Sequence, residues 1–382
     1  MKRILYIAPH DIRKRTGGAL ATLAYYNALV ALYGDKIDIM MPAEADDGSI
    51  NNVIPVKSRS HVKALLSASL HRYKSAVKKH LKQHSNEYDI CVINGGLYAG
   101  DMMDMIHGFG LKIIVIHHNF EREYAMDNKG VLTLGGRTSY FIVKNEKQAY
   151  QKADVNCFLT KDDIELFNMH YGKSLAKTFL LGTFEPYDIE LPHSIEPSQK
   201  IIAITGSMNS IQTMCGISDV HKNYYDIIKE LCPEWELVIA GRNPRQEVYN
   251  LQKENPEKIR VIPNPENMDE VTSPASIFLC PTNVGGGLKL RLMDGLRMGL
   301  PILVHKVSAR GYDIFFEKPY FKVYEDRESF KHGLQELLRF SSKGFSRSDI
   351  QTEFLLHFGF KAGRERVNKI IKELAYGTEN RY

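Results

Sequence analysis

Short apolar runs recur along the chain and are separated by helical patterns and glycine-containing loops. The first run, residues 4–8, precedes a polar loop that ends in Gly17 and Gly18, and an apolar helical stretch follows over residues 19–32. A strand, a glycine loop and a helix in this order form the opening unit of a doubly wound α/β fold. Later runs are four or five residues long and rich in Ile or Val, which is typical of buried parallel strands. They cover residues 37–41, 90–93, 113–116, 155–159 and 178–181.

The segment over residues 186–200 differs in composition and periodicity from the rest and divides the chain in two. This segment has three prolines and no periodicity, which indicates a linker. The opening pattern then repeats, which predicts two α/β domains over residues 1–185 and 201–359. An amphipathic pattern over residues 360–375 predicts a terminal helix. The strands expected in the second domain cover residues 201–205, 237–240, 259–262, 277–280 and 301–304, with a helix over 224–231.

Composition narrows the class of protein. The 382 residues are 43% hydrophobic and 25% charged, which excludes disorder for the bulk of the chain. No stretch of 18 apolar residues occurs, so no membrane-spanning helix is predicted, and the N-terminus does not resemble a signal peptide. The five cysteines form no Cys-x-x-Cys pair, which favours reduced thiols and a cytoplasmic protein. The net charge of +5 is too small to indicate a dedicated nucleic-acid binder.

Residues 283–301 are the most informative segment, because a triple glycine follows the apolar run 277–280 and precedes a helical pattern. Glycines let the backbone approach a ligand closely and direct its N–H groups toward an anion. We expect a helix to begin near Leu288, so that its positive end and Lys289 face the same ligand. Asp294, further along this helix, is placed to accept hydrogen bonds from sugar hydroxyls. A plain glycine-rich turn with a solvated lysine is the alternative interpretation.

Two histidines, His117 and His118, end the apolar run 113–116 and are followed by Asn119 and Glu121. Ligands of open α/β sheets bind beyond the carboxyl ends of the strands, so these residues mark a second candidate functional edge. Neighbouring side chains of a strand point to opposite faces, so a metal site formed by the two histidines is not expected. A purely structural His118 is the alternative interpretation.

Four segments, in this order along the chain, resemble retaining GT-B glycosyltransferases of the family-4 type, the glycosyltransferases group 1. They are His118-Asn119-Phe120-Glu121, Gly206-Ser207-Met208, Ala240-Gly241-Arg242-Asn243-Pro244, and the triple glycine with Lys289 and Asp294. The resemblance implies an α/β fold of the GT-B type, in which two Rossmann-like domains face an interdomain cleft. It makes residues 1–185 the acceptor domain and 201–359 the nucleotide-sugar donor domain. It also implies that the terminal helix, residues 360–382, returns towards the N-terminal domain.

The same resemblance implies the residues of the site. His118, Lys289 and Asp294 are expected to be catalytic, and Asn119 and Glu121 to lie on the acceptor side. Neither a metal ion nor a cofactor is expected, because backbone amides, Lys289 and the helix dipole would neutralise the leaving group. The chain departs from the family pattern of two glutamates, whose positions are occupied by Gly286 and Asp294. The donor-binding residues expected are Gly17, Gly18, Gly206, Ser207, Gly241, Arg242, Gly285, Gly286, Gly287, Leu288 and Arg291.

The resemblance further implies a retaining, hexosyltransferase-type activity. The expected donor is a UDP-sugar, because such donors are commonest among these relatives. The expected acceptor is a glycan or a lipid-linked glycan in the assembly of bacterial surface polysaccharide or glycoconjugate. Two alternatives remain open. One is a GT-B-fold nucleotide-sugar epimerase, and the other is a catalytically silent, membrane-associated partner of a glycan assembly complex.

Residues 57–84 form a second unusual segment, with eight Lys or Arg residues, no acidic residue and apolar positions at helical spacing. This pattern predicts a basic amphipathic helix. Its lysines are either simply solvated or in contact with anionic lipid headgroups on the inner face of the cell membrane. Nucleic-acid binding is disfavoured because Tyr73 alone supplies an aromatic ring for stacking on bases. The lipid contacts expected are Lys74, Lys78, Lys79 and Lys82.

Overall fold

The computed structural model of the protein describes residues 2–13, 17–42, 48, 50, 52–56, 74–122, 134–190 and 199–376. The chain divides into two compact units. The N-terminal unit comprises Met1–Ile189 together with Phe358–Tyr382, and the C-terminal unit comprises Glu190–His357. Most of the expected linker, residues 57–73 of the basic segment and the last six residues lie outside the described residues.

Each unit contains one parallel sheet, which confirms the predicted α/β class with two Rossmann-like domains. The sheet order is β3-β2-β1-β4-β5-β6-β7 in the N-terminal unit and β10-β9-β8-β11-β12-β13 in the C-terminal unit. The strands are β1 Arg3–Ile7, β2 Ile37–Pro42, β3 Val53–Val56, β4 Tyr88–Asn94, β5 Lys112–His117, β6 Val155–Phe158, β7 Lys177–Leu180, β8 Ile201–Thr205, β9 Glu236–Gly241, β10 Ile259–Pro263, β11 Ile277–Cys280, β12 Ile302–His305 and β13 Phe321–Tyr324.

Helices connect most of the described strands, as the crossovers between parallel strands require. They are α1 Gly17–Tyr33, α2 Lys74–His84, α3 Gly96–Ala99, α4 Met103–His107, α5 Leu134–Lys152, α6 Lys161–Tyr171, α7 Ile211–Asp219, α8 Tyr225–Leu231, α9 Gln246–Glu254, α10 Met268–Thr272, α11 Arg291–Arg297, α12 Arg327–Ser342, α13 Arg347–Phe358 and α14 Phe360–Tyr376. A π-helical turn, Val220–Tyr224, joins α7 to α8. None of the described helices is long and apolar enough to cross a membrane.

The central strands are buried because their side chains are apolar on both faces. Strand β8 is buried along its whole length, and so is β11. The terminal helix α14 packs within the N-terminal unit, where the Arg366 side chain donates a 2.7 Å hydrogen bond to the Leu181 carbonyl. Val367 and Ile370 of α14 line an apolar cavity together with Tyr25 of α1. The last helix of the chain therefore completes the core around its first helix.

Candidate active site

In the C-terminal unit, the sheet order reverses between β8 and β11, because β9 lies on one side of β8 and β11 on the other. Ligands of doubly wound sheets bind beyond the carboxyl ends of the strands at such a switch point. Strand β9 ends here at Gly241, and the loops that follow β8 and β11 begin at Gly206 and Pro281. The glycines predicted from the sequence therefore lie at the edge of the sheet where binding is expected.

Neither Gly206 nor Gly241 has room for a side chain. Their φ angles are +151° and +154°, which favour glycine. A Cβ on Gly241 would overlap the Gly206 carbonyl oxygen, and one on Gly206 would lie 2.7 Å from Nη1 of Arg291. The two loops are also joined by a 2.8 Å hydrogen bond from the Met208 N–H to the Arg242 carbonyl. This pair of glycines fixes the backbone at the switch point.

Arg291 ties the ends of the two central strands together. Its guanidinium donates to the Thr205 carbonyl at 3.4 Å, to Thr282 Oγ1 at 3.2 Å and to Thr213 Oγ1 at 3.0 Å. The predicted start of the helix near Leu288 is wrong, because α11 begins at Arg291. The helix has seven residues and Lys289 lies before it, since the glycine-rich backbone continues as a loop held by side-chain contacts.

Lys289 is directed at the glycine loop, and it is only 6% exposed. Its Nζ donates to the Gly286 carbonyl at 2.8 Å, to the Gly285 carbonyl at 3.1 Å and to Gln212 Oε1 at 3.4 Å. An ammonium group has three donors and no acceptor, so it gathers carbonyl oxygens around itself. The loop turns through positive φ angles at Gly285 (+86°) and Gly287 (+71°), and the Leu288 side chain is half-buried.

The loops after β8 and β9 also present polar side chains. Ser207 donates a 2.7 Å hydrogen bond to Asn209 Oδ1, and Arg242 is exposed. Arg245, which the sequence analysis missed, donates a 2.7 Å hydrogen bond to the Asn209 carbonyl. Arg245 could have been predicted from the sequence, because it lies three residues after Arg242 in the loop that follows a strand. Two guanidinium groups therefore belong to the loop that packs on Gly206.

Asp294 lies on α11, and its side chain is 37% exposed. The surrounding protein raises the pKa of Asp294 to about 6 by desolvation, and the nearby Arg297 opposes this rise. Nη2 of Arg297 is 3.5 Å from the Asp294 carboxylate and 2.8 Å from that of Asp269. Asp294 is thus held by one shared arginine, with part of its carboxylate accessible.

In the N-terminal unit, the half-buried His118 follows β5 and its Nε2 is hydrogen-bonded to Asn94 Oδ1. Asn94 donates to the Tyr6 hydroxyl at 2.9 Å, and that hydroxyl donates to the Thr22 carbonyl at 3.0 Å. Desolvation, and to a lesser extent His10, lowers the pKa of His118 to about 4, so the ring is neutral at pH 7.

His117 points instead into the core, where its Nε2 is 2.9 Å from Asn156 Oδ1 and its ring stacks on Phe158. Within the described ranges, no group of three or more His, Cys, Asp or Glu side chains is arranged to hold a metal ion. The two histidines therefore have separate surroundings.

The turn after His118 is held by internal contacts. Asn119 donates a 2.9 Å hydrogen bond to Glu121 Oε1, and desolvation raises the pKa of Glu121. The Glu121 N–H donates to the carboxylate of Glu146 on α5, a residue that the sequence analysis missed. In the sequence, nothing distinguishes this buried glutamate of α5 from a glutamate on the solvated face of a helix.

Gly17 and Gly18 begin α1, directly beyond the loop that follows β1. The Gly18 carbonyl accepts a 2.7 Å hydrogen bond from the Thr22 hydroxyl. A Cβ on Gly18 would lie 3.5 Å from the His10 ring, which is an ordinary contact. Space alone therefore does not require glycine at Gly18.

Comparison with known proteins finds one family match and several structures of similar fold. Residues 199–339 match the family described as "Glycosyl transferases group 1". No curated protein sequence matches the chain. The solved structure of the sucrose-phosphate synthase from Thermosynechococcus elongatus is similar, with a TM-score of 0.74 at 13% identity, over 99% of this chain and 100% of that chain.

Two further solved structures are similar over their whole length. WaaG, a glycosyltransferase involved in lipopolysaccharide biosynthesis, has a TM-score of 0.62 at 16% identity, over 98% of this chain and 100% of that one. Anabaena HepE, in complex with UDP and glucose, has a TM-score of 0.67 at 11% identity, over 97% of this chain and 100% of that one. These structures share the fold of this chain at low sequence identity, and the family match covers residues 199–339. The chain therefore has the GT-B fold, and its residues 199–339 are similar to the group 1 glycosyltransferases.

Proposed function

We propose that this protein is a glycosyltransferase that transfers a hexose from a UDP-sugar to a glycan or lipid-linked acceptor in bacterial surface polysaccharide or glycoconjugate assembly. The anomeric configuration is retained, and neither a metal ion nor a cofactor takes part. The observation that carries the proposal is the packing of Gly206 on Gly241 beside the glycine loop 285–287, in the unit that matches the family. HepE, which shares the fold, was solved with UDP and glucose bound.

The donor diphosphate binds the loops at the carboxyl edge of the C-terminal sheet. Lys289 draws the carbonyls of Gly285 and Gly286 toward itself, which favours the outward presentation of loop N–H groups to an anion. Arg242 and Arg245 supply positive charge from the neighbouring loop. Donors fixed in place before the reaction stabilise the charge that develops on the leaving diphosphate.

The N-terminal unit binds the acceptor, and neutral His118 forms a hydrogen bond with the sugar or the acceptor. No carboxylate in the described part of the chain stands out as a nucleophile, so the acceptor attacks on the face that the diphosphate leaves. The departing phosphate then takes the acceptor proton. Asp294 contributes a hydrogen bond to the donor from its accessible carboxylate oxygen.

A ligand screen followed by product analysis tests the proposal. Thermal unfolding is measured with UDP, GDP, ADP and CMP and their sugars, because a ligand that binds only the folded state raises the melting temperature. UDP and one UDP-sugar should give the largest shifts. A glycoside product with the donor's anomeric configuration supports the proposal. An epimerised nucleotide-sugar would indicate the epimerase, and binding without any turnover would indicate a silent partner.

We further propose that the protein is cytoplasmic and binds anionic membrane through α2. In this helix, Lys78, Lys79 and Lys82 are exposed, whereas Lys74 lies 3.8 Å from Asp101. The apolar positions of α2 that the structure describes are used internally, since Val77 and Leu81 are both fully buried in the core. The contact is therefore electrostatic rather than an insertion into the bilayer.

Vesicle co-sedimentation tests the membrane contact. Binding to anionic vesicles should exceed binding to neutral ones and should weaken with salt, because the Debye length falls from about 10 Å at 0.1 M to about 3 Å at 1 M. Replacing Lys78, Lys79 and Lys82 with Glu should abolish it. The matched control replaces three exposed lysines of α14, Lys361, Lys369 and Lys372, with Glu. Equal loss in both triple variants would show a general charge effect and contradict docking through α2.

A further inference from the structure

The turn 118–122 is anchored at its far end by one buried carboxylate. Glu146 of α5 is 1% exposed. Its Oε1 accepts a 2.7 Å hydrogen bond from the Glu121 N–H, and its Oε2 accepts from the Arg122 N–H at 3.3 Å. The Tyr171 hydroxyl donates to the same Oε2 at 2.7 Å. No basic side chain is paired with this carboxylate among the described salt bridges, so its contacts are hydrogen bonds from the turn and from α6.

Two other contacts hold the same turn. At its start, His118 is hydrogen-bonded to Asn94 at the end of β4. In its middle, the Phe120 ring is buried and packs against Phe167 and Tyr171, with ring centroids 5.2 and 5.5 Å apart. Tyr171 thus both supports the middle of the turn and orients the carboxylate that holds its end.

We propose that Glu146 is a positioning residue of the glycosyltransferase, which sets the place of His118 by holding the backbone of the turn at Glu121 and Arg122. The inference rests on the role proposed above for His118. Glu146 contacts no group assigned to substrate binding except through this turn. Its removal should therefore move His118 without affecting the loops of the C-terminal unit.

The electrostatic surroundings agree with a role in hydrogen bonding. Desolvation raises the pKa of Glu146 to about 8, the charge of Glu121 adds to the rise, and the hydrogen bonds from Tyr171 and the two amides oppose it. Glu121 in turn is influenced by Asp163. A protonated Glu146 still has one oxygen for the Glu121 N–H and a proton to donate to the Tyr171 hydroxyl. Glutamine at this position offers the same two groups.

Three variants separate positioning from general stability. Glu146→Met keeps the side-chain volume but removes both acceptors, whereas Glu146→Gln keeps an acceptor for the turn. The matched control is Asn145→Ala, because Asn145 is the preceding residue of α5, is 3% exposed, and accepts a 2.8 Å hydrogen bond from the Asp101 N–H in the short 3-10 helix between α3 and α4. The melting temperature should fall in both Glu146→Met and Asn145→Ala.

The readouts are transfer kinetics, UDP affinity and the pKa of His118. This pKa is measured by NMR with labelled histidine, and the His118 signal is assigned with the His118→Gln variant. Glu146→Met should lower kcat at least tenfold, leave the UDP Kd within twofold, and raise the His118 pKa by one unit or more, because a loosened turn admits water. Glu146→Gln should restore kcat to within about threefold of wild type. Asn145→Ala should leave both kcat and the His118 pKa unchanged.

An unchanged His118 pKa in Glu146→Met, an equal change in Asn145→Ala, or a Gln variant as impaired as the Met variant would overturn the inference. The NMR measurement needs no enzymatic turnover, so failure of the proposed transfer reaction is distinguished from failure of the positioning role. If Glu146→Met does not fold, the Tyr171→Phe variant tests the positioning role instead, because it removes the hydroxyl that orients the Glu146 carboxylate. It should raise the His118 pKa in the same direction, and no shift would overturn the inference.

Discussion

Replacing Lys289 with methionine removes an ammonium group from the glycine loop but keeps most of the side-chain volume. If Lys289 faced only the diphosphate, as the sequence analysis expects, the substitution would weaken nucleotide binding and leave the unliganded protein equally stable. In the structure, however, Lys289 donates to two carbonyls of the loop at 2.8 and 3.1 Å. We therefore expect the substitution to lower both UDP affinity and the free energy of unfolding.

The size of the effect follows from these contacts. A hydrogen bond to a charged donor contributes about 1.5–3 kcal/mol. Gly285 and Gly286 are half-buried, so water can replace part of the lost contact, and we take the value of one bond as the net loss. For a domain of 150–250 residues, each kcal/mol corresponds to roughly 2–4 °C in Tm. The unliganded Lys289→Met variant should therefore melt about 3–12 °C below wild type.

Thermal unfolding without ligand and calorimetric titration with UDP measure the two effects. Lys306→Met is the matched control, because Lys306 follows β12 at the same edge of the sheet, is 59% exposed, and pairs with Glu325 on the surface. Such exposed pairs contribute about 0–1 kcal/mol, so the control should melt near wild type. A Lys289→Met variant that melts like wild type but binds UDP weakly would refute the reasoning and support direct contact with the diphosphate.

Three further predictions concern single residues. His118→Ala should depress kcat and leave the UDP Kd within about twofold in calorimetry, whereas aggregation with a lowered Tm would indicate a structural role. Gly241→Ala should lower Tm more than Gly110→Ala and abolish UDP binding. A Cβ at Gly241 would overlap Gly206. At Gly110 (φ +82°) no atom lies within 4 Å of the added Cβ, so the cost is backbone strain alone, about 1–3 kcal/mol. Equal decreases in Tm for the two variants would contradict the packing argument. The pKa of Asp294 is raised to about 6 in the folded protein. Between about pH 4 and pH 6, Asp294 is therefore protonated in the folded state and ionised in the unfolded state. As pH rises through this window, the stability of the wild type should fall relative to that of Asp294→Asn. Urea unfolding at pH 4 and pH 7 measures this difference, and parallel profiles for the two proteins would exclude it.

The sequence predicted most of the buried strands because a parallel strand covered on both faces is a continuous apolar run. It missed β3 and β13, which lie at the edges of their sheets. Strand β3 contains Pro55, and β13 contains the partly exposed Lys322. Proline is tolerated at a sheet edge, and a partly exposed strand needs no unbroken apolar run, so neither segment matched the pattern.

The candidate site was predicted by residue type but not by contact. The glycines after β8, β9 and β11 were found because a glycine at a strand end is visible in the sequence. The approach of Gly241 to Gly206 joins positions 35 residues apart, and no local pattern encodes it. The start of α11 was misplaced because helical periodicity extends back through Lys289, whereas the contacts of its ammonium group with the loop carbonyls are tertiary. The roles of the individual site residues remain predictions for the assays above.

The packing of α14 on α1 has a consequence for synthesis on the ribosome. The N-terminal unit is made of two segments separated in sequence by the whole C-terminal unit, so its first segment must wait for α14. At roughly 5–20 residues per second, synthesis of the intervening residues takes on the order of 10–30 s. The C-terminal unit, although translated later, can therefore finish folding first, while the apolar face of α1 stays uncovered. A nascent chain stalled before Phe360 should accordingly be a better chaperone client than the released protein.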